Sequence, residues 1–365
     1  MKAVIPCAKK KRGLFPFSET KPTALMPVAG KPIISHLIHN LQQIGVEEIY
    51  LVTNHLEQQF EEKFGEYTNV NIVHQEKLEG TASAIQECSF IDENFFVVNG
   101  DVLISQHDLK KLLENHGENT QVSMLADKED KPEKFGVLSI TNDKVSEIYE
   151  KPEEPENPLV NTGIYIFTPE IFNAIKNLED SKDLTDAVKN FVPNRETRFE
   201  IVDDYWIDIG SPKKLWEADK IKREYEIQET QISDSAKIHD SVKIEGEAII
   251  DERAEIKPNT VIEGKTYIGK ETTIGPNTVV KDSSIHEASQ LRNNEIENSL
   301  IFEENIIDPY THLENTIIGE QCDIKPGTVI RESFIGGESF IEMNNSIYGK
   351  KFVPNARTDL SEITK

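Results

Sequence analysis

Residues 232 to 280, written in blocks of six, read ISDSAK IHDSVK IEGEAI IDERAE IKPNTV IEGKTY IGKETT IGPNTV V. Each block opens on a β-branched residue, which is isoleucine in every complete block and valine at Val280. A period of six with small or polar residues between the aliphatic ones is the hexapeptide signature of a parallel β-helix. Each block is therefore expected to form one flat face of a triangular coil, with its aliphatic side chain pointing inward.

Beyond residue 280 the pattern continues with steps of five or six residues. The aliphatic positions of this part are Ile285, Leu291, Ile296, Ile301, Ile307, Leu313, Ile318, Ile324, Ile330, Ile335 and Ile341. Residues 349–365 break the period, so we expect them to cap the last coil or to form a tail. The chain is thus divided into a first domain over 1–228, a β-helix over 229–348 and the segment 349–365.

The first 228 residues follow a different periodicity, in which short β-rich runs alternate with stretches of helical spacing. Such alternation predicts an α/β domain with a mainly parallel, doubly wound, Rossmann-like sheet covered on both faces. Ligands of these sheets lie beyond the carboxyl ends of the strands. The β-rich runs are residues 3–5, 49–53, 71–73, 95–99, 122–126, 136–140, 145–150 and 164–167.

The composition excludes several classes of protein. The chain has 365 residues, 37% of them hydrophobic, and a formal charge of -25. That charge repels nucleic acids and acidic lipid surfaces, and no apolar run reaches the roughly 18 residues of a membrane span. Cys7, Cys88 and Cys322 are too far apart in the sequence for a zinc knuckle or a disulfide framework. We expect a soluble, cytoplasmic protein without nucleic acid or membrane partners.

Two aspartates are candidates for binding a divalent metal ion. Asp101 follows the β-rich run that ends in Val98-Asn99-Gly100, and Asp208 lies in Trp206-Ile207-Asp208-Ile209-Gly210. Asp101 alone could be an ordinary turn residue, but two acids from different strands can bracket one Mg²⁺ ion that holds a triphosphate.

A second candidate segment could bind a nucleotide base. Gln75 supplies an amide for a base edge, and Gly80-Thr81 provides a flexible turn at the start of a helix. The alternative is an ordinary capped helix, for which Thr81 is also suitable.

Residues 1 to about 220 resemble the sugar-1-phosphate nucleotidylyltransferases in segments that occur in the family's order. With the hexapeptide solenoid, the chain resembles the two-domain branch that includes bifunctional UDP-N-acetylglucosamine pyrophosphorylases and related glucose-1-phosphate nucleotidylyltransferases, which implies a left-handed β-helix. The matching segments are Met1–Ile5, Pro16, Glu19-Thr20, Pro22, Pro27–Pro32, Gln75 with Gly80–Ala82, Asp101, Phe135–Val137, Glu150–Pro152, Val160–Gly163 and Trp206–Gly210.

The resemblance implies a role for each matched side chain. Asp101 and Asp208 match the metal-binding aspartates, so Mg²⁺ is the implied cofactor. Gln75, Gly80 and Thr81 are implied to bind the nucleotide. The implied sugar-phosphate residues are Gly136, Glu150, Lys151 and Asn161, with Lys151 also neutralising the incoming phosphate during catalysis.

The basic loop of the family is altered in this chain. An ungapped match puts Gly13 where relatives have the Arg that ends a Gly-rich loop, and Thr23 where they have a Lys ten residues later. The positive charges of Lys9 to Arg12 and of Lys21 can replace those of the two missing basic residues. We therefore expect Arg12 and Lys21 to serve with Lys151 as the catalytic cations, whereas the alternative is that the loop is a solvated turn.

The sequence thus predicts an enzyme that joins a nucleoside triphosphate, UTP or dTTP, to glucose-1-phosphate or N-acetylglucosamine-1-phosphate and releases pyrophosphate. One alternative is a non-catalytic subunit of the same fold that senses nucleotide sugars or is structural. A less favoured alternative adds acetyl transfer in the β-helix. Hexapeptide solenoids resemble one another in associating about a threefold axis, so a homotrimer or a hexamer is expected.

Overall fold

The computed structural model describes residues 1–141, 144–178, 183–192, 197–358 and 363–364. The chain forms two compact units. The first comprises Met1–Lys10, Pro22–Leu25 and Ile33–Asp208, and the second comprises Lys11–Lys21, Met26–Pro32 and Ile209–Lys365. No helix among the described residues is long and apolar enough to cross a membrane.

The described residues of the first unit form eleven strands and six α-helices. The helices are Ile33–Gln43 (α1), Glu57–Phe64 (α2), Thr81–Gln86 (α3), Gln106–Glu114 (α4), Glu170–Lys176 (α5) and Leu184–Lys189 (α6). The strands are Lys2–Pro6 (β1), Glu48–Thr53 (β2), Val70–His74 (β3), Phe95–Val98 (β4), Val102–Ile104 (β5), Val122–Lys128 (β6), Gly136–Thr141 (β7), Lys144–Glu150 (β8), Leu159–Phe167 (β9), Thr197–Ile201 (β10) and Trp206–Asp208 (β11). Short 3₁₀ turns of this unit are Thr23–Leu25 and Pro132–Lys134.

The central sheet has the strand order β8-β7-β9-β4-β1-β2-β3, with β6 paired to β9 and β10 paired to β6. The β4-β1-β2-β3 part is parallel, as is the β6-β10 pair. Strand β9, however, runs antiparallel to β4, β6 and β7, and β7 and β8 are antiparallel to each other. The sheet is therefore mixed rather than mainly parallel, because the closely spaced later strands pair as antiparallel neighbours.

A hydrophobic core covers each face of this sheet, as expected of a doubly wound domain. On one face, Ile34, Leu37 and Leu41 of α1 are buried against the aliphatic residues of β1 and β2. On the other face, Ile85 of α3 and Phe172 of α5 belong to a second cluster. The α1 positions are spaced three and four residues apart, so they form one stripe of the helix.

The second unit is built on a parallel β-helix with three columns of strands. The inward residues are Ile244, Ile262, Val280, Ile296, Leu313, Ile330 and Ile347 in one column, Ile250, Ile268, Ile285, Ile301, Ile318, Ile335 and Phe352 in the next, and Ile256, Ile274, Leu291, Ile307, Ile324 and Ile341 in the third. Most of these side chains are fully buried in one continuous cluster. The repeat read from the sequence is therefore confirmed as a β-helix.

The irregular spacing beyond residue 280 shortens the coils. Ile244 pairs with Ile262, Val280 with Ile296, and Ile296 with Leu313. A five-residue step therefore removes a residue from a corner while the inward position stays in its column. The strands of the second unit are Pro27–Val28, Lys31–Pro32, Gln231–Ile232, Lys237–Ile238, Lys243–Ile250, Glu255–Ile256, Val261–Ile268, Thr273–Ile274, Val279–Lys281, Ser284–Ile285, Gln290–Leu291, Glu295–Glu297, Leu300–Ile301, Ile306–Ile307, His312–Glu314, Ile317–Ile318, Asp323–Ile324, Val329–Arg331, Phe334–Ile335, Phe340–Ile341, Ser346–Tyr348, Lys351–Phe352 and Ile363–Thr364.

Helix Pro212–Glu226 (α7) belongs to this second compact unit. Ser211 caps its amino end by accepting a hydrogen bond from the Lys214 N–H, and Pro212 occupies its first turn. Asp219 of α7 is 1% exposed and accepts hydrogen bonds from Ser284 Oγ at 2.7 Å and from the Ala29 N–H at 2.8 Å. A buried carboxylate needs these donors, so α7, the segment 26–32 and the β-helix pack as one unit.

Candidate active site

The two predicted metal-binding aspartates lie on or next to a short antiparallel ladder. Strand β5 pairs with β11, and Asp208 lies opposite Val102. Asp101 immediately precedes Val102, so the ladder brings together the backbone segments of two acids that are 107 positions apart in the sequence. Both side chains are partly buried.

This donor set fits a divalent ion that prefers oxygen ligands. Among the described residues no group of three or more His, Cys, Asp or Glu side chains forms a metal cluster. An ion held by Asp101 and Asp208 would therefore complete its coordination with water and phosphate oxygens, as Mg²⁺ does in sites with one or two carboxylates.

Close packing fixes the turn that carries Asp101. The Gly100 N–H donates to the Pro6 carbonyl oxygen at 3.2 Å, and a Cβ at Gly100 would collide with the Cys7 sulfur. Burial and the neighbouring charge of Asp101 raise the pKa of Cys7 well above its usual value. The thiol is therefore neutral, which disfavours Cys7 as a nucleophile or metal ligand.

Three of the predicted sugar-phosphate residues lie together where β7, β8 and β9 meet. Gly136 is opposite Glu150 in the β7-β8 ladder. A Cβ at Gly136 would lie 3.2 Å from Glu150 Oε2 and 3.7 Å from the Asn161 Cβ. A side chain at residue 136 would therefore press on Glu150 and contact Asn161, and glycine leaves the space beside them open.

Lys151 follows β8 and is oriented by Glu150. Its backbone N–H donates to the Phe135 carbonyl oxygen at 3.0 Å, and its Nζ lies 2.7 Å from Glu150 Oε1. The hydrogen bond to Glu150 raises the pKa of Lys151. The side chain is 63% exposed, so its ammonium is charged and accessible to an anion.

The structure adds Asn99, Tyr165 and Thr185 to the residues expected from the sequence. Tyr165 hydroxyl oxygen is hydrogen-bonded by Asn161, and Thr185 Oγ1 lies 3.4 Å from Glu150 Oε2. Gly163 has a φ of 75°, and a Cβ there would collide with the Asn99 amide. A left-handed glycine thus lets the end of β4, just before Asp101, approach the strand that carries Asn161. No local sequence pattern predicts these contacts of Asn99, Tyr165 and Thr185. The one available signal is that Asn99 directly precedes Gly100-Asp101.

The predicted nucleotide-binding residues are also brought together. Gln75 is 2% exposed, and its Nε2 donates to the Lys77 carbonyl oxygen at 2.9 Å and to Ser83 Oγ at 2.7 Å. Ser83 Oγ in turn donates to the Gly80 carbonyl oxygen at 2.9 Å. Because both amide hydrogens of Gln75 are used, its side-chain oxygen is the atom that can accept a hydrogen bond from a base. Thr81 begins α3 directly after Gly80.

Arg12 and Lys21 are not grouped with these residues, because the segment 11–21 belongs to the second unit. Arg12 is exposed at the start of the 3₁₀ turn Arg12–Leu14, which is followed by a second turn at Phe17–Glu19. Lys21 is ion-paired with Glu303 of the β-helix at 2.5 Å.

The two positions where relatives carry basic residues are tightly packed. A Cβ at Gly13 would collide with the Gly210 carbonyl oxygen. Thr23 is 8% exposed, and its Oγ1 is buried without a hydrogen-bond partner among the described residues. Neither position accepts a long basic side chain without movement of its surroundings.

Comparisons with known proteins assign the chain to a family. Residues 10–224 match the family model described as nucleotidyl transferase, and residues 244–353 match the model described as the GMPPB C-terminal domain. Because the first match spans more than half of the sequence, the chain belongs to the nucleotidyl transferase family. The α/β fold of the first unit agrees with that class of protein.

Several relatives are similar over most of the chain. A bifunctional protein GlmU of Methanocaldococcus jannaschii is 31% identical over 68% of this chain and 60% of its own length. A UTP–glucose-1-phosphate uridylyltransferase, AglF, of Haloferax volcanii is 31% identical over 63% of this chain and its whole length. A solved structure, described as a glucose-1-phosphate thymidylyltransferase of Bacillus anthracis with sucrose, superposes with a TM-score of 0.55 and 27% identity over 60% of this chain and 94% of that one. The chain spans about 60% of the length of the GlmU relatives.

Proposed function

We propose that this protein is a cytoplasmic, Mg²⁺-dependent sugar-1-phosphate nucleotidylyltransferase that uses UTP or dTTP with glucose-1-phosphate or N-acetylglucosamine-1-phosphate. The observation that supports the proposal is the β5-β11 ladder, in which Asp208 pairs with Val102, the residue after Asp101. Asp101 and Asp208 would hold Mg²⁺, which would supply positive charge to offset that of the phosphates.

The reaction is a displacement at the α-phosphorus of the triphosphate. A phosphate oxygen of the sugar phosphate forms the new P–O bond while the bond to the leaving pyrophosphate breaks, and no covalent enzyme intermediate is needed. The exposed ammonium of Lys151 neutralises the incoming phosphate, so that two anions can approach each other. Catalysis of this kind consists of positioning and electrostatic stabilisation.

Two groups of residues select the substrates. Glu150 and Asn161, held beside the space that Gly136 leaves open, hydrogen-bond the sugar hydroxyls. The side-chain oxygen of Gln75 accepts a hydrogen bond from the N–H of uracil or thymine, a donor that the corresponding ring nitrogen of cytosine lacks. Arg12 is the cation proposed to contact the triphosphate, and Lys21 is proposed to hold the loop that carries it.

One observation favours the second candidate, a nucleotide-sugar-sensing or structural subunit. The packing of Gly13 against Gly210 and the burial of Thr23 exclude the two basic residues that relatives have at these positions. A site without them binds a triphosphate more weakly, whereas a nucleotide sugar carries less charge. The aspartate pair favours the enzyme, because a purely structural subunit has no need of two adjacent metal-binding acids.

The test is a pyrophosphate-release screen of UTP, dTTP, ATP and CTP against both sugar phosphates in the presence of Mg²⁺. We expect turnover with UTP or dTTP, and a loss of about a thousandfold or more in Asp101→Asn and Asp208→Asn, because each removes a charged metal ligand. Asp203→Asn, a change at an exposed acid just before β11, is the matched control and should retain activity. Wild-type protein that binds nucleotide sugars without turnover would instead establish the sensing subunit.

A further inference from the structure

The nitrogen of the Gln75 side-chain amide faces two hydrogen-bond acceptors. Gln75 Nε2 lies 2.9 Å from the Lys77 carbonyl oxygen and 2.7 Å from Ser83 Oγ. A carbonyl oxygen can only accept a hydrogen bond, so the amide group that faces Lys77 must be the NH₂ and not the oxygen. The Lys77 carbonyl therefore favours one of the two orientations of the Gln75 amide.

The Ser83 hydroxyl favours the same orientation, although a hydroxyl group can both donate and accept. Its single hydrogen is donated to the Gly80 carbonyl oxygen at 2.9 Å, and that oxygen is an acceptor only. The lone pairs of Ser83 Oγ are what remains for Gln75, and they can only accept. A flipped amide would therefore place its oxygen against two acceptors and turn both of its hydrogens away from them.

The backbone at both ends of this chain of hydrogen bonds is also held. The Gln75 N–H donates to the Thr53 carbonyl oxygen at 2.9 Å, and the Gln75 carbonyl oxygen accepts from Asn54 Nδ2 at 2.9 Å. Gly80 has a φ of 115°, which favours glycine, and its carbonyl oxygen also accepts from the Ala84 N–H at 3.4 Å. The positions of Gln75 and of the carbonyl group that orients Ser83 are thus set by the fold.

We propose that Ser83 is a positioning residue that determines which bases the site accepts, by holding the Gln75 amide with its oxygen directed away from Ser83 and toward the base. The inference rests on the proposed function, in which Gln75 contacts the base. Uracil and thymine carry a hydrogen on ring nitrogen N3, which the Gln75 oxygen can accept. Cytosine has a lone pair on that nitrogen, so two acceptors would face each other and the site would reject cytosine nucleotides.

The experiment compares full-length Ser83→Ala with Ser89→Ala, a change at an exposed serine that follows α3. Alanine is the best helix former, so Ser83→Ala should leave α3 intact. The measurement is the ratio of kcat/KM for UTP to that for CTP, with dTTP and dCTP as a second pair.

We expect the wild type to prefer UTP or dTTP over the matching cytosine nucleotide by about a hundredfold or more. Ser83→Ala should reduce this preference about tenfold, because it removes one of the two hydrogen bonds that hold the amide. Ser89→Ala should keep the wild-type ratio. The KM for the sugar phosphate should change by less than about twofold in both variants.

A double-mutant cycle with Gln75→Ala tests whether Ser83 acts through Gln75. Gln75→Ala should itself remove most of the preference, and adding Ser83→Ala should then change the ratio by less than about twofold. If Ser83→Ala reduces the preference equally with and without Gln75, Ser83 does not act through Gln75 and the inference is wrong.

Melting temperatures and equilibrium binding of the same nucleotides keep the outcomes distinct. An unchanged ratio in Ser83→Ala, an equal loss for uracil and cytosine nucleotides, or a wild type that uses both alike would overturn the inference while the enzyme assignment stands. A wild type that binds UTP in preference to CTP without turnover, with the preference reduced in Ser83→Ala, would refute the enzyme assignment and keep the positioning role. A wild type that binds neither UTP nor dTTP refutes both.

Discussion

At the scale of single residues, the carboxyl groups of this protein differ in what their surroundings do to them. Glu303 and Glu320 lie in adjacent coils and share the ammonium of Lys21, yet the pKa of Glu303 is lowered and that of Glu320 is raised. The difference arises because Lys21 bonds Glu303 directly, whereas burial dominates at Glu320, whose Oε2 has no hydrogen-bond partner among the described residues.

The raised pKa of Glu320 makes a prediction about the pH dependence of stability. The folded protein holds this proton more tightly than the unfolded chain, so the group stabilises the fold at acidic pH. That contribution is lost as the pH rises above the ordinary value of 4.5 and through the pKa of the folded state. Glu320→Gln removes this loss, so its stability relative to wild type should increase as the pH rises from 4.5 through the pKa of Glu320 in the folded state.

Urea unfolding midpoints measured across this range check the prediction. Glu287→Gln is the control, since Glu287 occupies the equivalent position of an earlier coil but is exposed. Parallel curves for wild type and Glu320→Gln would show that Glu320 titrates alike in the folded and unfolded states.

The roles of some of these residues could be predicted from the sequence, and the roles of others could not. Asp101 and Asp208 each lie in a short, distinctive segment, so they could be proposed as a pair before their ladder was known. The partner of Lys21 could not be predicted, because Glu303 is 282 positions away and glutamates are common at the corners of the repeat. A contact between a loop and a distant coil leaves no periodic signal in either sequence.

At the scale of elements, the β-helix separates inward from outward residues within a single short strand. In Ile306–Ile307 the first side chain is 43% exposed and the second is 1% exposed. The two residues have the same side chain and nearly the same backbone conformation. They differ only in the direction in which the side chain points. The alternation of a strand decides which one contributes to the core.

This pair gives a matched prediction for stability. Ile307→Ala should lower the free energy of unfolding by about 2 to 5 kcal/mol, because it leaves a cavity between two coils. Ile306→Ala should change it by no more than about 0.5 kcal/mol. Chemical denaturation followed by circular dichroism measures both, and a similar loss in the two variants would mean that the outward face is covered in solution.

Periodicity predicted the elements but not all of their neighbours. A period of six fixes the direction of every inward side chain, so the coils were evident from residues 232–280. The antiparallel pairing of β9 was not evident from the sequence, because the alternation of strands and helices does not reveal which strand runs in the opposite direction. The packing of α7 with the β-helix uses Asp219, which accepts from Ser284, together with Trp216 and Arg223, which donate to carbonyl oxygens of distant coils, and no local pattern predicts these partners.

At the scale of the whole molecule, charge and shape act in opposite directions on self-association. The formal charge of -25 opposes assembly, while the β-helix exposes large apolar side chains at Tyr310, Met343 and Tyr348. Flat faces with such residues are typical of solenoids that associate.

We expect the full-length protein to form a trimer, or a dimer of trimers, whose stability increases with salt as the repulsion is screened. Light scattering at low and at physiological ionic strength measures this directly. The full chain is the right sample, because a truncation near residue 228 would leave Phe17 and Lys21 without the β-helix side chains that they contact. A monomer at both salt concentrations would contradict the prediction.

The register of the coils has a mechanical consequence. Each inward residue pairs with its equivalent one coil away, as Ile285 does with Ile301 and Ile301 with Ile318, so the stacked cores bind each coil to the coils above and below it. Under tension applied at the carboxyl end, such a stack should peel away one turn at a time, and each event should release about 50 to 60 Å of extended chain. In a single-molecule pulling experiment the force peaks should be evenly spaced until unfolding reaches the coils of Phe334 and Glu303, where contacts with Phe17 and Lys21 add resistance and a higher force should be recorded.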